Sequence, residues 1–124
     1  MTSILIADDD FISLEVLKAM LSQFPVTVHT ASNGPEAIAL AENIQPALII
    51  LDYEMPAMTG AEACQQLRLQ PQFADTPIIA LTGHQSPTEL NACRVAGMNE
   101  TLYKPVSPEA LAATLASYLP QLAK

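Results

Sequence analysis

Short, uninterrupted apolar runs alternate along this chain with segments in which apolar residues recur every three or four positions. That alternation predicts a βαβα succession. Ile4-Leu5-Ile6, Leu48-Ile49-Ile50-Leu51 and Ile78-Ile79-Ala80-Leu81 contain no polar residue, as strands covered on both faces should. They place strands at 3–7, 47–51 and 77–81, and two shorter stretches add strands at 26–30 and 100–103. Helices are expected at 11–24, where Leu14, Leu17 and Leu21 form one stripe ahead of Pro25, and at 35–43, 58–69, 87–96 and 108–119. Pro35, Pro87 and Pro108 suit first helical turns, Ser86 and Ser107 suit caps, and Gly97 suits a helix stop. Five βα units in 124 residues, without repeat or linker, specify one α/β domain over 1–124, a doubly wound parallel sheet with helices on both faces.

Composition narrows the function. Half of the residues are hydrophobic, enough for one core without disulfides or structural metal. Thirteen Asp and Glu against five Lys and Arg leave a net charge of −8, which repels nucleic-acid phosphates and anionic lipid. Neither nucleic acid nor membrane is expected as a partner; cations and basic protein surfaces are. Cys64 and Cys93 stand in helical patterns with no CxxC and no nearby His, so they read as free core thiols of a reducing compartment. The longest apolar run, 47–51, is far short of the ~20 residues that span a bilayer. Acidic residues 8–10 follow the first apolar run, which is unlike a secretory leader. A cytoplasmic location is expected.

In doubly wound sheets, sites lie beyond the carboxyl ends of the strands. Here those ends carry Asp8, Asp9 and Asp10, then Asp52, then Thr82 and Gly83, then Lys104 and Pro105. Singly each has a plain structural reading: the first three acids could cap a helix and Asp52 could sit in a turn. Together they point to one site. Carboxylates ~5 Å apart repel by roughly 3 kcal/mol per pair at an effective dielectric near 20, so a proton or a cation must neutralise them. An all-oxygen set with few ligands, leaving room for water and phosphate, favours Mg²⁺ over Ca²⁺. No basic glycine-rich loop is present to cradle a nucleotide. A carboxylate beside a metal, a hydroxyl and a lone lysine is suited to accept a phosphoryl group.

The residues that line this rim resemble a known family. Ile4-Leu5-Ile6-Ala7-Asp8-Asp9, Leu51-Asp52-Tyr53-Glu54-Met55-Pro56 with Gly60, Ile79-Ala80-Leu81-Thr82-Gly83, Gly97-Met98-Asn99 and Lys104-Pro105 together resemble the receiver domain of two-component response regulators, of the chemotaxis type. The last two pieces are also similar to receivers of hybrid sensor kinases. The resemblance covers essentially the whole chain. It implies a flavodoxin-like three-layer (βα)5 sandwich with strand order 2-1-3-4-5, and a signalling domain rather than an enzyme. It implies Asp52 as phosphoacceptor; Asp9, Asp52 and the backbone carbonyl of Glu54 around Mg²⁺, with Asp8 reached through water; Thr82 and Lys104 on phosphoryl oxygens; and a cis Lys104–Pro105 bond. Phosphorylation would then draw Thr82 inward and remodel the surface of the fourth helix, fifth strand and fifth helix. The implied partners are a histidine kinase or histidine phosphotransfer protein and a downstream effector protein, unless the chain is a piece of a longer regulator or hybrid kinase.

One position departs from the family pattern. Where receivers often carry a rotating Tyr or Phe, three residues before the lysine, this chain has Thr101. Tyr103 follows on the same strand face and is either its substitute or an interface aromatic. Glu54 and His84, each two residues beyond a site residue, are expected to set the phosphate lifetime, or else to be solvated loop side chains. Two other readings stand beside the receiver. A haloacid-dehalogenase-like phosphatase would use Asp8 as nucleophile and Asp10 as acid/base, leaving Asp52 unexplained; a pseudo-receiver would bind partners without phosphorylation.

Overall fold

A computed structural model of the chain describes residues 2–83 and 86–123. Five parallel strands, β1 (Thr2–Ala7), β2 (Val26–Ala31), β3 (Leu48–Asp52), β4 (Ile78–Thr82) and β5 (Glu100–Tyr103), form one sheet in the order β2-β1-β3-β4-β5. Four helices connect them, α1 (Phe11–Leu21), α2 (Gly34–Ile44), α3 (Gly60–Arg68) and α4 (Pro87–Ala96), and α5 (Pro108–Tyr118) follows β5. This is the doubly wound, flavodoxin-like sandwich that the hydrophobic pattern and the resemblance imply.

Alternation along the strands builds two cores. Ile4, Ile6, Leu48, Ile50, Ile79 and Leu81 meet Leu14, Leu17 and Leu21 of α1 and Leu111 and Leu115 of α5 on one face. Leu5, Ala7, Ile49, Leu51 and Ile78 meet Ala37 and Ala41 of α2 and Ala63, Cys64 and Leu67 of α3 on the other. Both cysteines are buried free thiols, and burial pushes the Cys64 thiol up to about 11. β1 lies between β2 and β3, so the crossover from β1 to β2 and the next one, from β2 to β3, run in opposite directions along the sheet. Asp8 follows β1 and Asp52 ends β3, the strands on one side of that reversal.

Several helix ends differ from expectation for identifiable reasons. α1 stops at Leu21, three residues early: the Ser22 amide bonds back to Lys18 and Ala19, and Phe24 N–H closes a turn onto Leu21, while Pro25 disfavours a helical residue before it. α3 begins at Gly60 rather than 58, because Thr59 is its cap. The Thr59 hydroxyl accepts the Glu62 amide at 3.1 Å and the Glu62 carboxylate accepts the Thr59 amide at 2.9 Å, a closed capping box. Ser107 caps α5 as expected by accepting the Ala110 amide, whereas Ser86 makes no side-chain cap bond on α4. Gly97 ends α4 with φ of 100°, a left-handed conformation that other residues resist. Asp52 and Thr82 prove to be the last residues of their strands rather than the first beyond them.

Candidate functional site at the sheet's carboxyl edge

Ala7 pairs with Leu51 across β1 and β3, which brings the following residues, Asp8 and Asp52, side by side. Asp8 is fully buried and Asp52 is 4% exposed. Asp9 is exposed, yet carboxylate oxygens of Asp8, Asp9 and Asp52 lie within 4.8 Å of one another. Gly60 is what lets the first turn of α3 close over this edge: its amide bonds the Tyr53 carbonyl, and a Cβ there would collide with the Asp52 backbone carbonyl.

Lys104 reaches the cluster from the opposite side. Its backbone amide bonds the Thr82 carbonyl at 2.8 Å, and its ammonium donates to Asp8 Oδ2 at 2.9 Å and lies 3.3 Å from Asp52 Oδ2. The Lys104–Pro105 bond is cis. Burial pulls the lysine's pKa down, but its bond to Asp8 and the charges of Asp52 and Asp8 outweigh that and leave it raised. Burial, then the neighbouring charge of Asp8, push Asp52 up to about 7, against the lowering influence of Lys104. A carboxyl that exchanges its proton near neutrality, flanked by two further carboxylates and one ammonium, is an arrangement that a divalent cation relieves.

Asp10 takes a different part. Its carboxylate accepts the Ile12 amide and the Ser13 hydroxyl as the N-cap of α1, so it has the capping role and stands apart from the three-acid cluster. Thr82 is 2% exposed, and its hydroxyl donates to Glu89 Oε1 at 3.2 Å. Glu89 was not foreseen from the strand ends; its only signal was the Ser86-x-x-Glu89 spacing. Glu54 is exposed in the loop after β3, and Gly83 is exposed beyond β4. Thr101 pairs with Ala80 and is half-buried, whereas Tyr103 pairs with Thr82 and is exposed. His84 lies outside the described residues.

This geometry has close counterparts. Residues 4–116 match the response regulator receiver domain. The chain belongs to that family. Among solved structures, the receiver overlays the chemotaxis protein CheY4 of Vibrio cholerae with a TM-score of 0.90, at 35% identity over 96% of this chain and 99% of that one. It overlays the receiver domain of the sensor histidine kinase PA1611 of Pseudomonas aeruginosa, which has a magnesium ion coordinated in its active site cleft, with a TM-score of 0.89, at 29% identity over 96% and 98% of the two chains. By sequence it is 30% identical over 118 residues, 95% of its length, to the signal transduction histidine-protein kinase BarA of Escherichia coli. The receiver spans only 13% of that kinase's length, and 50% of the length of another regulator it matches. Receivers are signalling domains of two-component systems rather than classical enzymes. Among the described residues, no helix is long and apolar enough to cross a membrane.

Proposed function

We propose that the domain over 1–124 accepts a phosphoryl group on Asp52 from a phosphohistidine donor, with Mg²⁺ as cofactor, and that phosphorylation switches a protein-binding surface. The observation that carries this reading is the convergence of Asp8, Asp9 and Asp52 with a lysine that touches two of them. In the transfer, an Asp52 carboxylate oxygen attacks phosphorus, the bond from phosphorus to the donor nitrogen breaks, and an acyl phosphate forms.

The acid cluster fits a hard cation: its three side chains are carboxylates whose mutual repulsion is only partly offset by Lys104. Asp9, Asp52 and the Glu54 backbone carbonyl would hold Mg²⁺, with Asp8 joined through water. When bound, Mg²⁺ supplies charge neutralisation for the phosphoryl oxygens. The protein's own groups do the rest. Lys104 places an ammonium beside Asp52, where negative charge grows on the transferring group. Thr82 offers one hydroxyl proton to a phosphoryl oxygen. Glu54 and His84 would tune how long the acyl phosphate survives.

The donor would be a cytoplasmic histidine kinase or histidine phosphotransfer protein. Exposed Phe11 and Ile12 of α1, beside a groove of about 340 Å³ reaching Lys104 and Pro105, give such a protein an apolar surface next to the site. A downstream effector would read α4, β5 and α5, where Val95 and Tyr103 are exposed and where Tyr103, rather than Thr101, supplies the aromatic. The phosphatase reading loses support because Asp10, its acid/base, caps α1.

The test is intact-mass spectrometry after incubation with acetyl phosphate and Mg²⁺. One added phosphoryl group per chain is expected, lost with chelator and in Asp52→Asn; equal labelling of Asp52→Asn would overturn the assignment.

A further inference from the structure

Thr82 cannot serve two acceptors at once. A threonine hydroxyl carries one hydrogen, and in this structure the Thr82 hydroxyl donates to Glu89 Oε1 at 3.2 Å. Glu89 is the third residue of α4, after the cap Ser86 and Pro87. Ser-x-x-Glu is the spacing of a capping box, and α3 closes the equivalent box between Thr59 and Glu62. In α4 the box is open, since Ser86 makes no side-chain cap bond. The carboxylate that could have closed it is turned instead onto a buried hydroxyl at the end of the neighbouring strand.

We propose that Glu89 is a positioning residue that holds the Thr82 hydroxyl away from Asp52 in the resting protein, so that phosphorylation must break the Thr82–Glu89 hydrogen bond. This rests on the assignment of Thr82 as the hydroxyl that meets a phosphoryl oxygen. The bond joins the last residue of β4 to the first turn of α4, so releasing it frees a helix end that belongs to the switching surface. A chain with Thr101 in place of an aromatic thereby has a direct link from its site to α4. The resting state keeps Thr82 occupied, and a ligand that needs that hydroxyl gains apparent affinity or rate when the latch is removed.

The experiment is a double-mutant cycle on the rate of labelling by acetyl phosphate with Mg²⁺, followed by intact mass. Glu89→Ala is expected to label at least ~5-fold faster than wild type, and Glu89→Gln, which keeps an acceptor oxygen without the charge, to gain less. In a Thr82→Ala background the Glu89→Ala gain should shrink below ~2-fold, because no hydroxyl remains to release. An equal gain in both backgrounds would mean that Glu89 acts only as a negative charge near an anionic donor, and would overturn the latch. So would wild-type rates in both Glu89 variants. Should Glu89→Ala fail to fold, Glu89→Gln with and without Thr82→Ala completes the same cycle. Labelling of Asp52→Asn as fast as wild type would overturn the site assignment itself, a result distinct from failure of the latch.

Discussion

Asp52 is a carboxyl whose surroundings oppose its charge. Its unfolded-state value of 3.8 rises to about 7 in the fold, chiefly through burial and then through Asp8. A raised folded-state value means that the native protein holds more protons than the unfolded chain between those limits. Asp52 therefore contributes stability that is fully present below about pH 4 and is lost as pH climbs through about 7. In metal-free protein, the stability of wild type relative to Asp52→Asn should fall across this window and level off above it, as read by urea denaturation at a series of pH values. A difference that is flat from pH 4 to 8 would show that Asp52 titrates normally. This residue and its neighbours could be read from the sequence because each stands at the end of an apolar run, and strand ends in a parallel sheet converge. Glu89 could not, since it is reached by a side-chain turn of one helix onto another element's last residue, which no strand-end rule anticipates.

The elements were legible where an apolar run or a proline set their limits. β3 and β4 are buried along their whole length and β1 along its last four residues, and these could be recognised from their apolar runs; the helices opening at Pro87 and Pro108 begin where the proline fixes φ. Boundaries decided by hydrogen bonds were less so: Thr59 is a cap rather than a helical residue because of its exchange with Glu62, and α1 unwinds after Leu21 into turns. Arg68, the last residue of α3, shows the same limit. Its guanidinium donates to the carbonyls of Phe73, Thr76 and Gly97 and to Asn99 Oδ1, tying α3 to the turn before β4 and to the turn between α4 and β5. A basic residue at a helix C-terminus predicts only a favourable dipole interaction; that it pins two loops depends on distant chain. Arg68→Ala should lower stability by about 2–4 kcal/mol in urea denaturation, with Arg68→Lys recovering less than half because lysine lacks the planar fork. Loss of under about 0.5 kcal/mol would place Arg68 among ordinary surface charges.

For the molecule as a whole, a net charge of −8 and a cluster of three carboxylates at one rim mean that the proposed divalent cation would add stability on binding. Binding to the native state alone should add about 2.7 kcal/mol at a hundredfold excess of Mg²⁺ over Kd, measured at constant ionic strength. Asp9→Ala should abolish that gain. A variant that still responds fully would remove Asp9 from the ligand set. On the proposed chemistry, one of three neighbouring carboxylates would receive the phosphoryl group. Reductive trapping of the acyl phosphate with borohydride, followed by peptide mass spectrometry, locates it directly. Modification confined to Asp52 is expected; modification at Asp8 or Asp9, with Asp52 intact, would remove Asp52 as the acceptor.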